Sequence, residues 1–176
     1  MASNLAMMKD KLFSLFVVGV LVLVHAAFSH TAFAQGSADA AEAYEWSAEL
    51  VAFDAGSGMA TLKARMDNRA DRSTLKELSE GDAITITWTG ITWGAGIAAV
   101  ERAGSTSSAD RLDMPAEFVG TEMDDTYLVF RVPVPQASAS KIQALDAGAW
   151  VTAKTAHDAS RLEQAVSEIR PYNEVS

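Results

Sequence analysis

Ser73-Thr74-Leu75-Lys76-Glu77-Leu78-Ser79-Glu80-Gly81-Asp82-Ala83-Ile84 is answered further along by Ser140-Lys141-Ile142-Gln143-Ala144-Leu145-Asp146-Ala147-Gly148-Ala149-Trp150-Val151. A serine, two aliphatic residues, a glycine and a β-former keep the same spacing at an offset of 140 − 73 = 67. Upstream, Ala48-Glu49-Leu50-Val51-Ala52 recurs as Ala116-Glu117-Phe118-Val119-Gly120 at 116 − 48 = 68. Two blocks in one order argue for a duplicated module rather than coincidence. Loss of one residue between them reconciles the offsets, and a hairpin turn is where such a loss is tolerated.

Each copy reads as strand, turn, strand, connection, short helical turn, strand. Trp46 to Phe53 leads into Asp54-Ala55-Gly56-Ser57-Gly58, residues that accept a turn. Ala60, Leu62, Ala64 and Met66 then alternate with Thr61, Lys63 and Arg65, the period of a half-buried strand. The second copy offers Ala116 to Met123, a turn at Asp124-Asp125, and Tyr127 to Val132 with Leu128, Phe130 and Val132 inward. Ser73 and Ser140 are expected to cap the helical turns, which Gly81 and Gly148 end. Ala83 to Thr89 and Ala149 to Thr155 are the closing strands. Ile84, Ile86 and Trp88 form the apolar stripe of the first.

Other segments are less regular. Gly90, Gly94 and Gly96 mark a glycine-rich loop around Trp93, followed by a strand from Ile97 to Arg102. Val132-Pro133-Val134-Pro135 removes two backbone donors and belongs at a strand edge. Between Asp158 and Ile169, Ser160-Arg161-Leu162-Glu163 matches a capping box, while the repeat makes Ala165 to Tyr172 a strand. A helical turn followed by a strand reconciles the two.

The expected fold is all-β: two tandem small barrel modules, or one pseudo-symmetric barrel or sandwich, each copy with a helical turn. This order resembles the oligonucleotide/oligosaccharide-binding (OB) type of small barrel, a likeness of architecture that carries no function. The divisions are 1–34 signal peptide, 35–45 flexible N-terminus, 46–102 first module, 103–113 linker, 114–172 second module and 173–176 tail. The expected core includes Leu50, Leu62, Leu78, Ile84, Ile86, Phe118, Phe130, Leu145 and Val151.

Lys9 and Lys11 precede an apolar run from Leu12 to Ala27, and Ala32-Phe33-Ala34 supplies the small-x-small pattern of a signal peptidase site. The run is shorter than the ~20 apolar residues of a membrane span. Cleavage after Ala34 to a periplasmic or secreted product is expected, with no membrane attachment afterwards. The full chain carries a formal charge of −9; without Lys9, Lys11 and Asp10 it carries 12 − 22 = −10. Such a charge repels phosphate backbones, so nucleic acid is not an expected partner. The 176 residues contain no cysteine, so apolar packing has to hold the fold even in an oxidising compartment.

Residues for catalysis are scarce. His157 is the one histidine downstream of the leader, and no Gly-x-Ser-x-Gly elbow is present. One His without Cys falls short of a zinc site. Met59, Met66, Met114 and Met123 are soft ligands that a copper site uses. Small periplasmic copper-carrying barrels are the family such a site resembles, but no His lies on the first hairpin strands, so the likeness fails at the ligands. Glu122, Asp124 and Asp125, or Asp67 and Asp71, lack the spacing of a calcium loop. Glu49 and Glu117 occupy equivalent module positions and are the acids a small envelope hydrolase would use.

No catalytic residue, metal ligand or cofactor is assigned. Trp93, among the glycines, and Trp150, out of phase with Val151 and Ala153, are the candidate contacts. The expected function is a non-catalytic exported module that binds a protein or glycan of the envelope or extracellular space through loops. The alternatives are an acidic envelope hydrolase and, less favoured, a copper carrier.

Overall fold

Apolar residues at every second position build eight strands in the computed structural model, which describes residues 43–89, 96–104 and 112–172. In chain order these are β1 (Ala43–Asp54), β2 (Met59–Asp71), β3 (Ala83–Trp88), β4 (Ile97–Arg102), β5 (Leu112–Glu122), β6 (Tyr127–Pro133), β7 (Trp150–Ala156) and β8 (Glu168–Pro171). A helix, α1 (Gln136–Gln143), precedes β7, and 3-10 turns span Ser73–Glu77 and Leu162–Gln164. The protein is mostly β. Residues 1–34, expected to be a leader, the expected cleavage site after Ala34 and Trp93 lie outside the described residues, as do Gly90 and Gly94.

The strands lie in one sheet, in the order β4-β3-β5-β6-β2-β1-β7-β8, rather than in a sheet for each module. Neighbouring pairs are antiparallel. β4 also pairs in parallel with β2, so β2, β6, β5, β3 and β4 complete a circuit of pairings. The order is interleaved: β3 pairs with β5, and β7 returns to β1. Ala48 faces Val151, and Ala116 faces Ile84. At the centre Leu62 faces Phe130, flanked by Ala60 against Val132 and Ala64 against Leu128. Register shifts fall at Leu50/Ala52 and again at Phe118/Gly120.

The interior is one apolar cluster. Leu62, Met66, Ile84, Ile86, Met114, Leu128, Phe130 and Val151 are fully buried, each contributing ~1.5–3 kcal/mol over exposure. Trp46 and Trp88 stack inside it, ring centroids 5.0 Å apart. Leu78 and Leu145, expected in the core, are half-buried and pack on its margin, while Leu75 and Ile142 are the buried members of their turns. Two antiparallel hydrogen bonds recur here: Gly81 N–H donates to Phe118 O and Phe118 N–H to Asp82 O; Gly148 N–H donates to Leu50 O and Leu50 N–H to Ala149 O. Both glycines sit at positive φ, where a side chain is strained.

Several boundaries differ from expectation. β1 begins at Ala43, inside the stretch expected to be flexible, because Ala43, Tyr44 and Glu45 pair with Ala156, Thr155 and Lys154. β5 begins at Leu112, inside the expected linker, opposite Trp88. Neither serine caps its helical turn. Asp71 Oδ1 accepts from Ser73 N–H at 2.9 Å, and that bond, with one from the Ser73 hydroxyl, lowers the Asp71 pKa. Ser140 lies within α1, whose N-cap is Pro135 in an extended conformation with ψ 138° and no side-chain cap bond. The Ser160 capping box also does not form: Ser160 N–H donates to Gln164, not Glu163. The expected helical turn and strand do follow, at Leu162–Gln164 and Glu168–Pro171.

β2 outruns β6 beyond Arg65 and Tyr127, and β6 ends at Pro133 opposite Met59. β2 continues past Met66, and there it meets β4, Met66 facing Ile97 and Asp71 facing Ala99. β6 stops at Pro133, since Pro133 and Pro135 have no N–H to donate. α1 packs against β8 instead, with Ile169 N–H donating to Ser138 Oγ at 3.4 Å.

Candidate functional site

Trp150 is 54% exposed, whereas Trp46 and Trp88 are 4% and 3% exposed. The cause is alternation: Val151 and Ala153 turn into the core, so Trp150, one residue out of phase, turns away. It stands beside Glu49 of β1, which faces Lys63 of β2. One row across three strands therefore reads Trp150, Glu49, Lys63. Two residues along β7 and β1, Thr152 Oγ1 and Ser47 Oγ lie 3.4 Å apart.

The charges on this face are paired. Lys63 Nζ lies 3.0 Å from Glu49 Oε1, 3.5 Å from Glu122 Oε2, and 5.8 Å above the Tyr127 ring centroid. The hydrogen bond that Lys63 donates to Glu49 is the largest reason the Lys63 pKa is raised. Further along, Lys154 Nζ reaches Glu168 at 2.9 Å and Glu45 at 3.6 Å, and Arg170 Nη2 reaches Glu45 at 3.4 Å. Lys154 lowers the Glu168 pKa, chiefly through their hydrogen bond.

A row of the same make-up crosses the other half. Ala83 faces Glu117, and Glu117 faces Arg131. Arg131 donates to Glu117 Oε1 and Glu80 Oε1, each at 2.6 Å. This ion pair borders an open cavity of about 500 Å³, lined also by Asp54, Ser57, Met59 and Thr61. Glu117 lines that cavity and Glu49 does not, so the two acids singled out for hydrolysis are not gathered in one pocket; each is held by its own cation.

Elsewhere, Met66 and Met114 are buried core residues, Met59 lines the cavity, and Met123 is 74% exposed on the β5–β6 turn. That turn runs through Met123, Asp124 and Asp125 at positive φ, anchored by Thr121 Oγ1 on Asp125 Oδ1 and Arg72 Nε on Asp125 O. No cluster of three or more His, Asp or Glu residues suited to a metal occurs among the described residues. His157 tilts against the Tyr44 ring at 5.2 Å. Among the three glycines around Trp93, Gly96 is described, and packing accounts for it. A Cβ there would meet Arg65 O at 3.0 Å and Asp67 N at 3.1 Å. No helix of the described residues is long and apolar enough to cross a membrane.

A buried polar cluster went unread in the sequence. Trp46 Nε1 donates to Thr155 Oγ1 at 2.8 Å, and Thr155 donates to Ala165 O. Thr87 donates to the buried Asp113 carboxylate. Among the described residues, Tyr44 Oη and Trp88 Nε1 are buried without a hydrogen-bond partner of good geometry. Burial first and the Asp113 charge second raise the Tyr44 pKa, and the Thr155 hydroxyl, already engaged with Trp46 and Ala165, opposes this only in part. Trp46 had a signal, since Tyr44, Trp46, Ala48 and Leu50 form one alternating stripe. Lys63 and Tyr127 as neighbours of this face had none, because their adjacency depends on strand pairing.

No known family, curated protein or solved structure matches this chain. Its own surface chemistry is what bears on function.

Proposed function

We propose that this chain is an exported, non-catalytic binding module that holds an envelope or extracellular protein or glycan against the sheet face around Trp150. One observation carries the proposal: an indole is left 54% exposed in a domain that buries Trp46 and Trp88. Aromatic anchors dominate many binding surfaces, and an exposed one forfeits ~25 cal/mol for each Å² of apolar area left uncovered.

Trp93 belongs to the proposed contact surface on its sequence alone. Duplication is part of the same proposal. Equal rows support it: Trp150, Glu49 and Lys63 in one half match Ala83, Glu117 and Arg131 in the other at offsets of 150 − 83 = 67, 117 − 49 = 68 and 131 − 63 = 68. The scaffold residues keep their chemistry between the rows while Trp150 replaces a small residue, as expected where a copied frame acquires a contact. The circuit of five strands supports a small barrel resembling the OB type, extended by β1, β7 and β8.

The test is a Trp150→Ala variant of the mature chain. Lost binding with an unchanged melting temperature supports recognition; a lowered melt with binding intact makes Trp150 a packing residue. Export itself is checked by intact mass. A chain starting at Gln35 is expected, and one starting at Met1 overturns it.

A further inference from the structure

We infer that the ligand of the Trp150 face is a neutral carbohydrate, an inference that rests on the binding role proposed for Trp150. The surroundings of the indole carry it. A protein-binding anchor sits in a pocket whose neighbours exclude water. Trp150 has instead the half-buried Glu49–Lys63 ion pair along its row and, one step away, the half-buried Ser47 hydroxyl beside the buried Thr152. Such a rim is polar rather than an apolar seal. A pyranose suits both parts, having one apolar C–H face to lay on an indole and an edge of hydroxyls to exchange hydrogen bonds with carboxylate, ammonium and hydroxyl groups.

The charge pattern points to a neutral ligand. The chain as a whole carries −9, yet the ion pairs on this face join Glu45, Glu49, Glu122 and Glu168 to Lys63, Lys154 and Arg170, four acids against three bases. Each of these groups already has an opposite charge within 4 Å. A polyanion or polycation would have to break those pairs, whereas sugar hydroxyls can join them. Strand pairing also holds the platform rigid, which favours a ligand of fixed shape.

The experiment titrates the mature protein with cellohexaose, chitohexaose and maltohexaose, beside heparin and polylysine, at low and at high salt. At least one neutral hexaose is expected to bind with an affinity that salt leaves unchanged, since no net charge is screened. Trp150→Ala should weaken it by about ten-fold or more, and Trp150→Tyr should recover part of the loss, with melting temperatures unchanged. Binding only to heparin or polylysine, weakened by salt, overturns the ligand class and leaves Trp150 as a contact. No hexaose bound, together with an envelope protein held by the wild type and lost in Trp150→Ala, overturns the carbohydrate inference and leaves the proposed function standing. No binding to any probe and no effect of Trp150→Ala on any partner overturns both.

Discussion

Tyr44 and Thr155 face each other on β1 and β7, yet their hydroxyls have opposite energetic standing. Among the described residues Tyr44 Oη has no hydrogen bond of good geometry, and Thr155 offsets its burial only in part, so its removal relieves a desolvation cost. Tyr44→Phe should leave thermal stability unchanged or raise it by up to about 1 kcal/mol. Thr155→Val should lower it by ~1–3 kcal/mol, since Trp46 Nε1 and Ala165 O both lose their partner. Chemical denaturation of the two variants checks the pair. A loss at Tyr44→Phe equal to that at Thr155→Val would mean that both hydroxyls are bonded. Gly96 makes a sharper point about position. Gly96→Ala forces a methyl to within about 3 Å of the β2 backbone, which cannot yield as a side chain does. A destabilisation of ~1–3 kcal/mol is expected from the same measurement.

At the scale of elements, α1 and the 3-10 turn over Ser73–Glu77 each place one aliphatic residue in the core, and a leucine just past each element, Leu145 or Leu78, lies at its margin. Ile142→Ala should therefore cost ~2–5 kcal/mol, and Leu145→Ala clearly less, although both sit in the repeated pattern. Equal losses would show that the margin is as tightly packed as the centre. β8 is held to β7 partly by Lys154 and Glu168. The pKa of Glu168 is lowered in the fold from an ordinary 4.5, so its contribution is full above that value. It is lost as pH falls through the lower folded value, because the unfolded chain takes up the proton first. The gap in melting temperature between wild type and Glu168→Gln should thus be present at neutral pH and close below about pH 4.5. A gap that widens on acidification contradicts this sign.

For the whole molecule, the interleaved strand order decides how it can come apart. β3 finds its outer partner in β5 and β7 finds one in β1, so each half completes its sheet with strands of the other. Residues 43–104 alone would leave the β1, β2 and β3 edges unpaired, and open edges aggregate or recruit copies of themselves. Circular dichroism and size-exclusion chromatography of that fragment should find it unfolded or self-associated, whereas adding the fragment 112–172 should restore the spectrum of the intact chain. The intact protein should melt in one transition by fluorescence and circular dichroism alike. A stable, folded monomer of either fragment would show that the halves are independent.

Residue types and their periods sufficed for the all-β class, for most strands and for Trp150 being out of phase with Val151 and Ala153, though not for its exposure, because side-chain alternation is a local property of an extended chain. Leu62, Phe130 and Val151 could be placed in the core by phase alone. Pairing is not local. That β3 would pass to β5, that Ala43 to Glu45 would gain partners on β7, and that Lys63 would stand beside Glu49 in the Trp150 row depended on contacts between residues far apart in the chain. Cap geometry failed to read as well: neither helical turn has a side-chain cap, Asp71 accepting from Ser73 N–H ahead of an Arg72 N-cap and Ser140 lying inside α1. The sequence by itself determined which faces are apolar; the tertiary structure decided which faces meet, because strand partners are chosen by packing over the whole sheet.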